Sequence, residues 1–94
     1  MQFLLAFTYE TSMYKILIIE DNPDIVANIY AFFEPKGFAL DNAHNGISGL
    51  SLASNNHYDV ILLDVMLPGM DGTKLCKKLR EELHNKTPVL MLTA

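Results

Sequence analysis

Cysteine is scarce in this chain. Its 94 residues include one cysteine, Cys76, so no disulfide can form within a single chain. No set of cysteines and histidines has the spacing of a zinc site. A lone cysteine is typical of proteins in a reducing compartment, and we therefore expect a cytoplasmic location.

Long apolar runs are also lacking. The apolar stretch Phe3–Phe7 is far shorter than a membrane-spanning helix, which needs about 20 apolar residues. No basic residue precedes it and no small-residue cleavage pattern follows it, so it predicts neither an anchor nor a signal peptide. Because a regular pattern opens at Met13, we interpret residues 1–12 as an N-terminal extension and residues 13–94 as one domain.

Positive charge is in deficit. Seven lysines and arginines stand against 11 aspartates and glutamates, for a net charge of -4. This balance argues against direct contact with nucleic acid. Basic residues cluster between Lys74 and Arg80, but Glu81 and Glu82 follow at once. We interpret the cluster as a solvated helix face, with a docking patch for a protein partner as the alternative.

Strand and helix patterns alternate from Met13 onward. Half of the residues are hydrophobic, which is enough for the core of one small domain. Apolar strands are predicted at 14–19, 38–42, 60–63 and 89–92. Amphipathic helices are predicted between them, with Asn22 and Asp71 as caps of the first and third. The alternation predicts βαβ units and an α/β fold with a parallel sheet.

Two of the predicted strands end in acidic residues. Residues 14–19 run into Glu20 and Asp21, and residues 60–63 run into Asp64. The carboxyl ends of parallel strands meet at one edge of the sheet, so the three carboxylates are expected to share a crevice. At 4 Å, each pair would repel by about 4 kcal/mol at an effective dielectric constant near 20. Mg²⁺, which prefers oxygen ligands, would relieve this repulsion, and a phosphoryl group would accompany it.

A simpler explanation exists for two of these acids. Glu20 and Asp21 lie just before a helix, where negative charge complements the helix dipole. That explanation does not extend to Asp64, which ends a different strand. We therefore favour the metal site.

Asp64 has a further role open to it. A carboxylate can act as a nucleophile and take up a phosphoryl group as an aspartyl phosphate. Thr93, at the tip of the next strand, carries a hydroxyl that could bond an oxygen of that group. An ordinary hydroxyl at a strand end is the alternative for Thr93.

Three segments carry a resemblance to a known family. They are IIEDN at 18–22, YDVILLDVMLPGMDG at 58–72 and PVLMLTA at 88–94. In this order they resemble the receiver domain of two-component response regulators. The resemblance implies a flavodoxin-like, doubly wound parallel sheet with strand order 2-1-3-4-5.

The resemblance also implies a function. Asp64 would accept a phosphoryl group from a phosphohistidine of a sensor histidine kinase, and Thr93 would be the switch hydroxyl. Mg²⁺ would be held by Asp21, Asp64 and the backbone carbonyl of Met66, with Glu20 assisting through water. A domain of this kind is a phosphoprotein and not an enzyme.

The family pattern continues beyond the segment that matches Ala94, the last residue of this sequence. The family's fourth helix, fifth strand and fifth helix have no counterpart here, and neither has the lysine at the tip of that fifth strand. We therefore expect an incomplete fold whose fourth strand is an exposed edge. Such an edge favours a homo-oligomer, a strand exchange or a bound partner, and a compact monomer in sedimentation would contradict this.

Three alternative functions compete with this interpretation. A Mg²⁺-dependent phosphohydrolase would usually have a second acid two residues after Asp64, where Met66 stands. A flavin-binding flavodoxin needs a hydroxyl- and glycine-rich phosphate loop after the first strand, where Glu20 and Asp21 would instead repel a phosphate that has no metal beside it. A phosphorylation-incompetent receiver that acts only through protein contacts stays open, because the family's lysine is missing.

Overall fold

Four strands and three helices alternate along the chain. The structure is a computed structural model, and it describes residues 14–92. The strands are β1 (Lys15–Ile19), β2 (Ala39–Ala43), β3 (Val60–Asp64) and β4 (Val89–Leu92). The helices are α1 (Pro23–Phe33), α2 (Gly46–Asn55) and α3 (Gly72–Glu81), and a short 3₁₀ helix (Glu34–Lys36) follows α1.

The strands form one parallel sheet in the order β2-β1-β3-β4. This order confirms the expected flavodoxin-like sheet, as far as the described residues extend. β1 and β3 lie at the centre, and Ile19 of β1 pairs with Ala43 on one side and Leu63 on the other. The carboxyl ends of β1 and β3 therefore lie next to each other.

The core lies on both faces of the sheet. On one face, Leu17, Ile19, Ile61 and Leu63 pack with residues of α2 and α3, among which Leu75 and Leu79 are fully buried. On the other face, Ile16, Ile18 and Leu62 pack against the partly buried Val26, Ile29 and Phe33 of α1. The two central strands are thus apolar on both faces, which is typical of parallel sheets.

The contact made by α1 is narrower than its pattern predicts. Residues 25, 26, 29, 32 and 33 have helical spacing, which predicts one apolar face. Ile25 is 41% exposed and Phe32 is 57% exposed, and no residue of α1 is fully buried. Val26, Ile29 and Phe33 contact the sheet, whereas Ile25 and Phe32 lie together on one flank of the helix, because a single helix buries only a stripe of its surface against a sheet.

Polar side chains set where the helices begin. The Asn22 side-chain oxygen accepts a hydrogen bond from Asp24 N at 2.9 Å, and that of Asp71 accepts one from Lys74 N at 2.9 Å. Both predicted caps are confirmed. After α1, Gly37 adopts φ 92°, a left-handed conformation that glycine reaches without strain, and the chain turns into β2.

β4 lies at the edge of the described sheet. Its Leu90 is 59% exposed. Pairing of this edge with another chain stays a prediction. The extension at residues 1–12 and Thr93 lie outside the described residues.

A buried tyrosine joins β2 to the segment that leads into β3. Tyr58 is 2% exposed, and its hydroxyl donates a hydrogen bond of 2.7 Å to Asp41 Oδ2. Lys15 Nζ lies 3.6 Å from the same oxygen. Burial, with the adjacent Asp41 carboxylate, raises the pKa of Tyr58. The hydrogen bond adds a side-chain link to the backbone pairing that holds β2 against β1.

Replacing Tyr58 by phenylalanine tests this link. Tyr58→Phe leaves a partly solvated Asp41 without its buried donor, so we expect the free energy of unfolding to fall by about 1–2 kcal/mol. Urea denaturation measures this. Tyr30→Phe is the matched control, because its hydroxyl donates to the neutral carbonyl of Leu40 at a longer 3.2 Å, and it should cost less. An equal or larger loss for Tyr30→Phe would contradict the prediction.

Candidate functional site

The two acid-tipped strands are neighbours. Ile19 of β1 pairs with Leu63 of β3, and each strand places its acids just beyond that pair. One carboxylate oxygen from each of Glu20, Asp21 and Asp64 lies within 4.8 Å of the others. We call these three residues the acid cluster. The structure therefore brings together the carboxylates that the sequence places at two separate strand ends.

The members of the acid cluster differ in exposure. Glu20 is 3% exposed, whereas Asp64 is half-buried and Asp21 is exposed. Burial raises the pKa of Glu20, and the neighbouring Asp21 and Asp64 raise it further. Asn22 N donates a hydrogen bond of 3.0 Å to Glu20 Oε2, which opposes this shift. Glu20 is thus a buried acid whose charge is destabilising without a cation.

The loop after β3 holds Asp64 in place. Met66 N donates a hydrogen bond of 3.0 Å to Asp64 Oδ1, while Val65 N donates one of 3.2 Å to Leu92 O on β4. The Met66 side chain is 77% exposed at the rim of the site. The first two backbone N–H groups after β3 are therefore hydrogen-bonded, one to β4 and the other to the Asp64 side chain.

Gly72 contacts the backbone of Asp64, which the sequence pattern does not predict. Its N–H donates a hydrogen bond of 2.7 Å to Val65 O. A Cβ at this position would lie 2.7 Å from the carbonyl oxygen of Asp64 and 2.8 Å from Val65 Cα. The start of α3 thus packs directly on the backbone of Asp64, and only glycine permits that approach.

A cleft of about 480 Å³ opens beside the acid cluster. Its polar lining residues are the three acids and Asn22, and its apolar ones are Ile25, Ile29, Met66 and Leu92. The grouped carboxylate oxygens suit a hard divalent cation, and the cleft has room for its water ligands and a phosphoryl group. The residues present therefore fit Mg²⁺.

The other predicted site residue is Thr93, which lies outside the described residues. Its predecessor Leu92 pairs in register with Asp64 and lines the cleft. Its role as a switch hydroxyl stays a prediction.

The fold and the acid cluster together define a class of protein. It is a flavodoxin-like α/β protein with a cluster of acids at the carboxyl edge of its sheet, where proteins of this fold bind their ligands. Comparison with known sequences gives the family. The model of the family described as response regulator receiver domain matches residues 16–94. The chain belongs to this family and is a receiver domain of two-component response regulators.

Curated relatives include transcriptional regulatory proteins of Bacillus subtilis. The chain is 41% identical over 80 residues to the uncharacterized transcriptional regulatory protein YclJ, covering 85% of this chain and 34% of that protein. It is 38% identical over 85 residues to the transcriptional regulatory protein ResD, covering 90% of this chain and 35% of that protein. The chain thus spans about a third of the length of these relatives.

Solved structures show the same fold. The receiver domain of the Francisella response regulator 1452 matches with a TM-score of 0.81 at 38% identity, covering 86% of this chain and 66% of that one. The receiver domain of sensor histidine kinase PA1611 from Pseudomonas aeruginosa matches with a TM-score of 0.79 at 32% identity, covering 88% and 69%. That structure is described with a magnesium ion coordinated in its active site cleft.

The close approach at Gly72 gives a testable prediction. Gly72→Ala should lower the free energy of unfolding by about 1–3 kcal/mol, because backbone atoms of Asp64 and Val65 must move. Gly46→Ala is the matched control, since Gly46 also begins a helix but its Cβ would meet the flexible Met70 Sδ at 3.1 Å. Thermal or urea unfolding compares the two. Equal stability of both variants would contradict the prediction.

The burial of Glu20 predicts a pH dependence. Its pKa is raised in the folded state, so the stability it contributes is present below the unfolded pKa and is lost as pH rises through the folded pKa. In metal-free buffer at pH 7, Glu20→Gln should therefore increase the free energy of unfolding and flatten its fall with pH. Urea denaturation between pH 4 and 8 measures this.

Glu81→Gln is the control for that prediction. Glu81 is an exposed glutamate on α3, away from the acid cluster. The substitution Glu81→Gln should leave the pH dependence of the free energy of unfolding unchanged. A Glu20→Gln chain less stable than the unmodified one at pH 7 would show that the Glu20 charge is not destabilising.

Proposed function

We propose that this receiver domain accepts a phosphoryl group on Asp64 in a Mg²⁺-dependent reaction. The observation that carries the proposal is the acid cluster, in which oxygens of Glu20, Asp21 and Asp64 lie within 4.8 Å of one another. Membership of the receiver family supports it. The proposed donor is a phosphohistidine of a sensor histidine kinase.

The proposed metal ligands are Asp21, Asp64 and the backbone carbonyl of Met66, with Glu20 assisting through water. Asp21 is exposed, so it is open to an arriving cation, whereas Glu20 is buried. Bound Mg²⁺ would neutralise charge on the acid cluster and on the incoming phosphoryl oxygens. The magnesium ion described in the active site cleft of the PA1611 receiver domain supports a magnesium site here.

The proposed reaction is a transfer to a carboxylate. An oxygen of Asp64 attacks phosphorus, the P–N bond of the phosphohistidine breaks, and its electron pair returns to the imidazole. Asp64 suits this role because it lines the cleft and its carboxylate is oriented by Met66 N. The product is an aspartyl phosphate on the domain itself. We therefore assign the domain as a phosphoprotein in a signalling pathway and not as an enzyme.

The structure disfavours the phosphohydrolase alternative. Such an enzyme would usually have a second carboxylate two residues after Asp64. That position is Met66, whose N–H is bonded to Asp64 Oδ1 and whose side chain points largely into solvent. No general acid is supplied there.

The remaining proposals concern the surroundings of the domain. We propose a domain of residues 13–94 preceded by an extension at 1–12, a cytoplasmic location, and no direct contact with nucleic acid or membrane. Among residues 14–92, none of the helices has the length and apolar character needed to cross a bilayer. Thr93 is proposed as the switch hydroxyl because it follows Leu92, the register partner of Asp64.

Phosphorylation by a small donor tests the central proposal. The chain is incubated with acetyl phosphate, with Mg²⁺ or with a chelator, and its intact mass is measured. We expect one phosphoryl adduct that requires Mg²⁺ and is cleaved by hydroxylamine, as an acyl phosphate should be.

The variants replace two aspartates: Asp64, the last residue of β3, and Asp59, which directly precedes β3. Asp64→Asn should abolish the adduct. Asp59→Asn is the matched control, because Asp59 lies at the opposite end of β3 and accepts a hydrogen bond from Lys15 N at 2.8 Å; it should be phosphorylated normally. An adduct that persists in Asp64→Asn would refute Asp64 as the acceptor. No adduct on any form would favour a receiver that acts only through protein contacts.

A further inference from the structure

An asparagine on the edge strand contacts the backbone beneath the acid cluster. Asn42 Nδ2 donates hydrogen bonds to three carbonyl oxygens: Ile18 O at 3.1 Å, Ala43 O at 3.2 Å and Glu20 O at 3.4 Å. The first and third belong to β1 and its extension, and the second belongs to β2. One amide nitrogen thus joins the carboxyl ends of two strands.

The orientation of this amide is fixed by its surroundings. All three partners are carbonyl oxygens, which only accept hydrogen bonds. The reversed amide would place the Asn42 oxygen against these three oxygens, so the nitrogen must face them. The nitrogen has two hydrogens for three acceptors, which means that at least one hydrogen is shared.

Glu20 is held at each of its polar groups. Its N–H donates to Ala43 O at 3.0 Å, its side chain accepts from Asn22 N at 3.0 Å, and its carbonyl accepts from Asn42 Nδ2. The Glu20 carbonyl belongs to the peptide that links Glu20 to Asp21. A peptide group is planar and includes the Cα of the following residue. A hydrogen bond to the Glu20 carbonyl therefore helps to fix the position of the Asp21 Cα.

Asp21 needs such support more than the other two acids. Its side chain is exposed, whereas Glu20 is buried and the Asp64 carboxylate is bonded to Met66 N. Its direction toward the other carboxylates is therefore set mainly by its backbone. Asn42 acts on that backbone.

We propose that Asn42 is a positioning residue for cation binding, acting through the Glu20–Asp21 peptide to direct the Asp21 carboxylate into the acid cluster. This inference rests on the proposed Mg²⁺ site. Residues that orient metal ligands from behind commonly change metal affinity when they are replaced.

The competing explanation is that Asn42 only ties β2 to β1. In that case, its loss would lower stability without changing Mg²⁺ affinity in the folded chain. Two measurements separate these roles: the Mg²⁺ dissociation constant from isothermal titration calorimetry, and thermal unfolding in the presence of a chelator.

Two substitutions remove the amide. Asn42→Leu keeps the branched shape, and Asn42→Ala is a second variant that avoids overpacking. We expect both to raise the Mg²⁺ dissociation constant about tenfold, measured below the unfolding temperature of each variant. The control is Asn85→Ala, which removes another amide-to-carbonyl link, Asn85 Nδ2 to Ala53 O at 3.4 Å. It should lower the melting temperature without changing Mg²⁺ affinity.

A double-mutant cycle tests the route through Asp21. Mg²⁺ affinity is measured for Asp21→Asn alone and combined with Asn42→Leu. If Asn42 acts by directing Asp21, the second substitution should have little further effect. Fully additive losses would overturn that route.

The outcomes separate the inference from its premise. If the unmodified chain binds Mg²⁺ and both Asn42 variants bind it equally well, the inference is wrong while the metal site stands. If the unmodified chain binds no Mg²⁺, the proposed metal site fails and the inference falls with it.

Discussion

The repulsion among three carboxylates at one edge of a parallel sheet is the constraint on which this structure depends. Glu20, Asp21 and Asp64 lie within 4.8 Å of one another, and Glu20 is almost completely buried. Folding therefore brings like charges together at the carboxyl ends of β1 and β3, the two most buried strands, and this lowers the stability of the folded state. A cation bound at this cluster would offset the repulsion between the carboxylates. It would therefore stabilise the folded state, so cation binding and stability are coupled.

Backbone contacts keep the cluster together against that repulsion. Gly72 packs on the Asp64 carbonyl, Met66 N bonds the Asp64 side chain, and Asn22 N bonds Glu20. Asn42 adds a link from β2 to the Glu20 carbonyl. Each of these groups acts on the backbone or on a single oxygen, so carboxylate oxygens stay available to a ligand. In a receiver domain, the carboxylate that accepts the phosphoryl group must be held in place and still be accessible to the phosphoryl donor.

Much of the fold could be predicted from the sequence because its signals are local. The apolar strands at 14–19 and 60–63, the caps Asn22 and Asp71, and the turn at Gly37 each depend on residues close in the chain. The acids at the strand ends were predictable for the same reason, once the sheet was taken to be parallel. The limited burial of α1 was not, since Ile25 and Phe32 have the same helical spacing as Val26 and Ile29. Periodicity identifies an apolar face but does not determine how wide a stripe the sheet covers.

By itself, the sequence determined the order of strands and helices, the three carboxylates and the family resemblance, because hydrophobic periodicity, capping and motif spacing are written along the chain. Only the tertiary structure decided that Glu20 is the buried member of the cluster and that Gly72 contacts the Asp64 backbone. It also revealed Asn42, 22 residues after Glu20, beneath the same site. These relations join separate elements, so they depend on sheet register and helix packing, which no local pattern encodes.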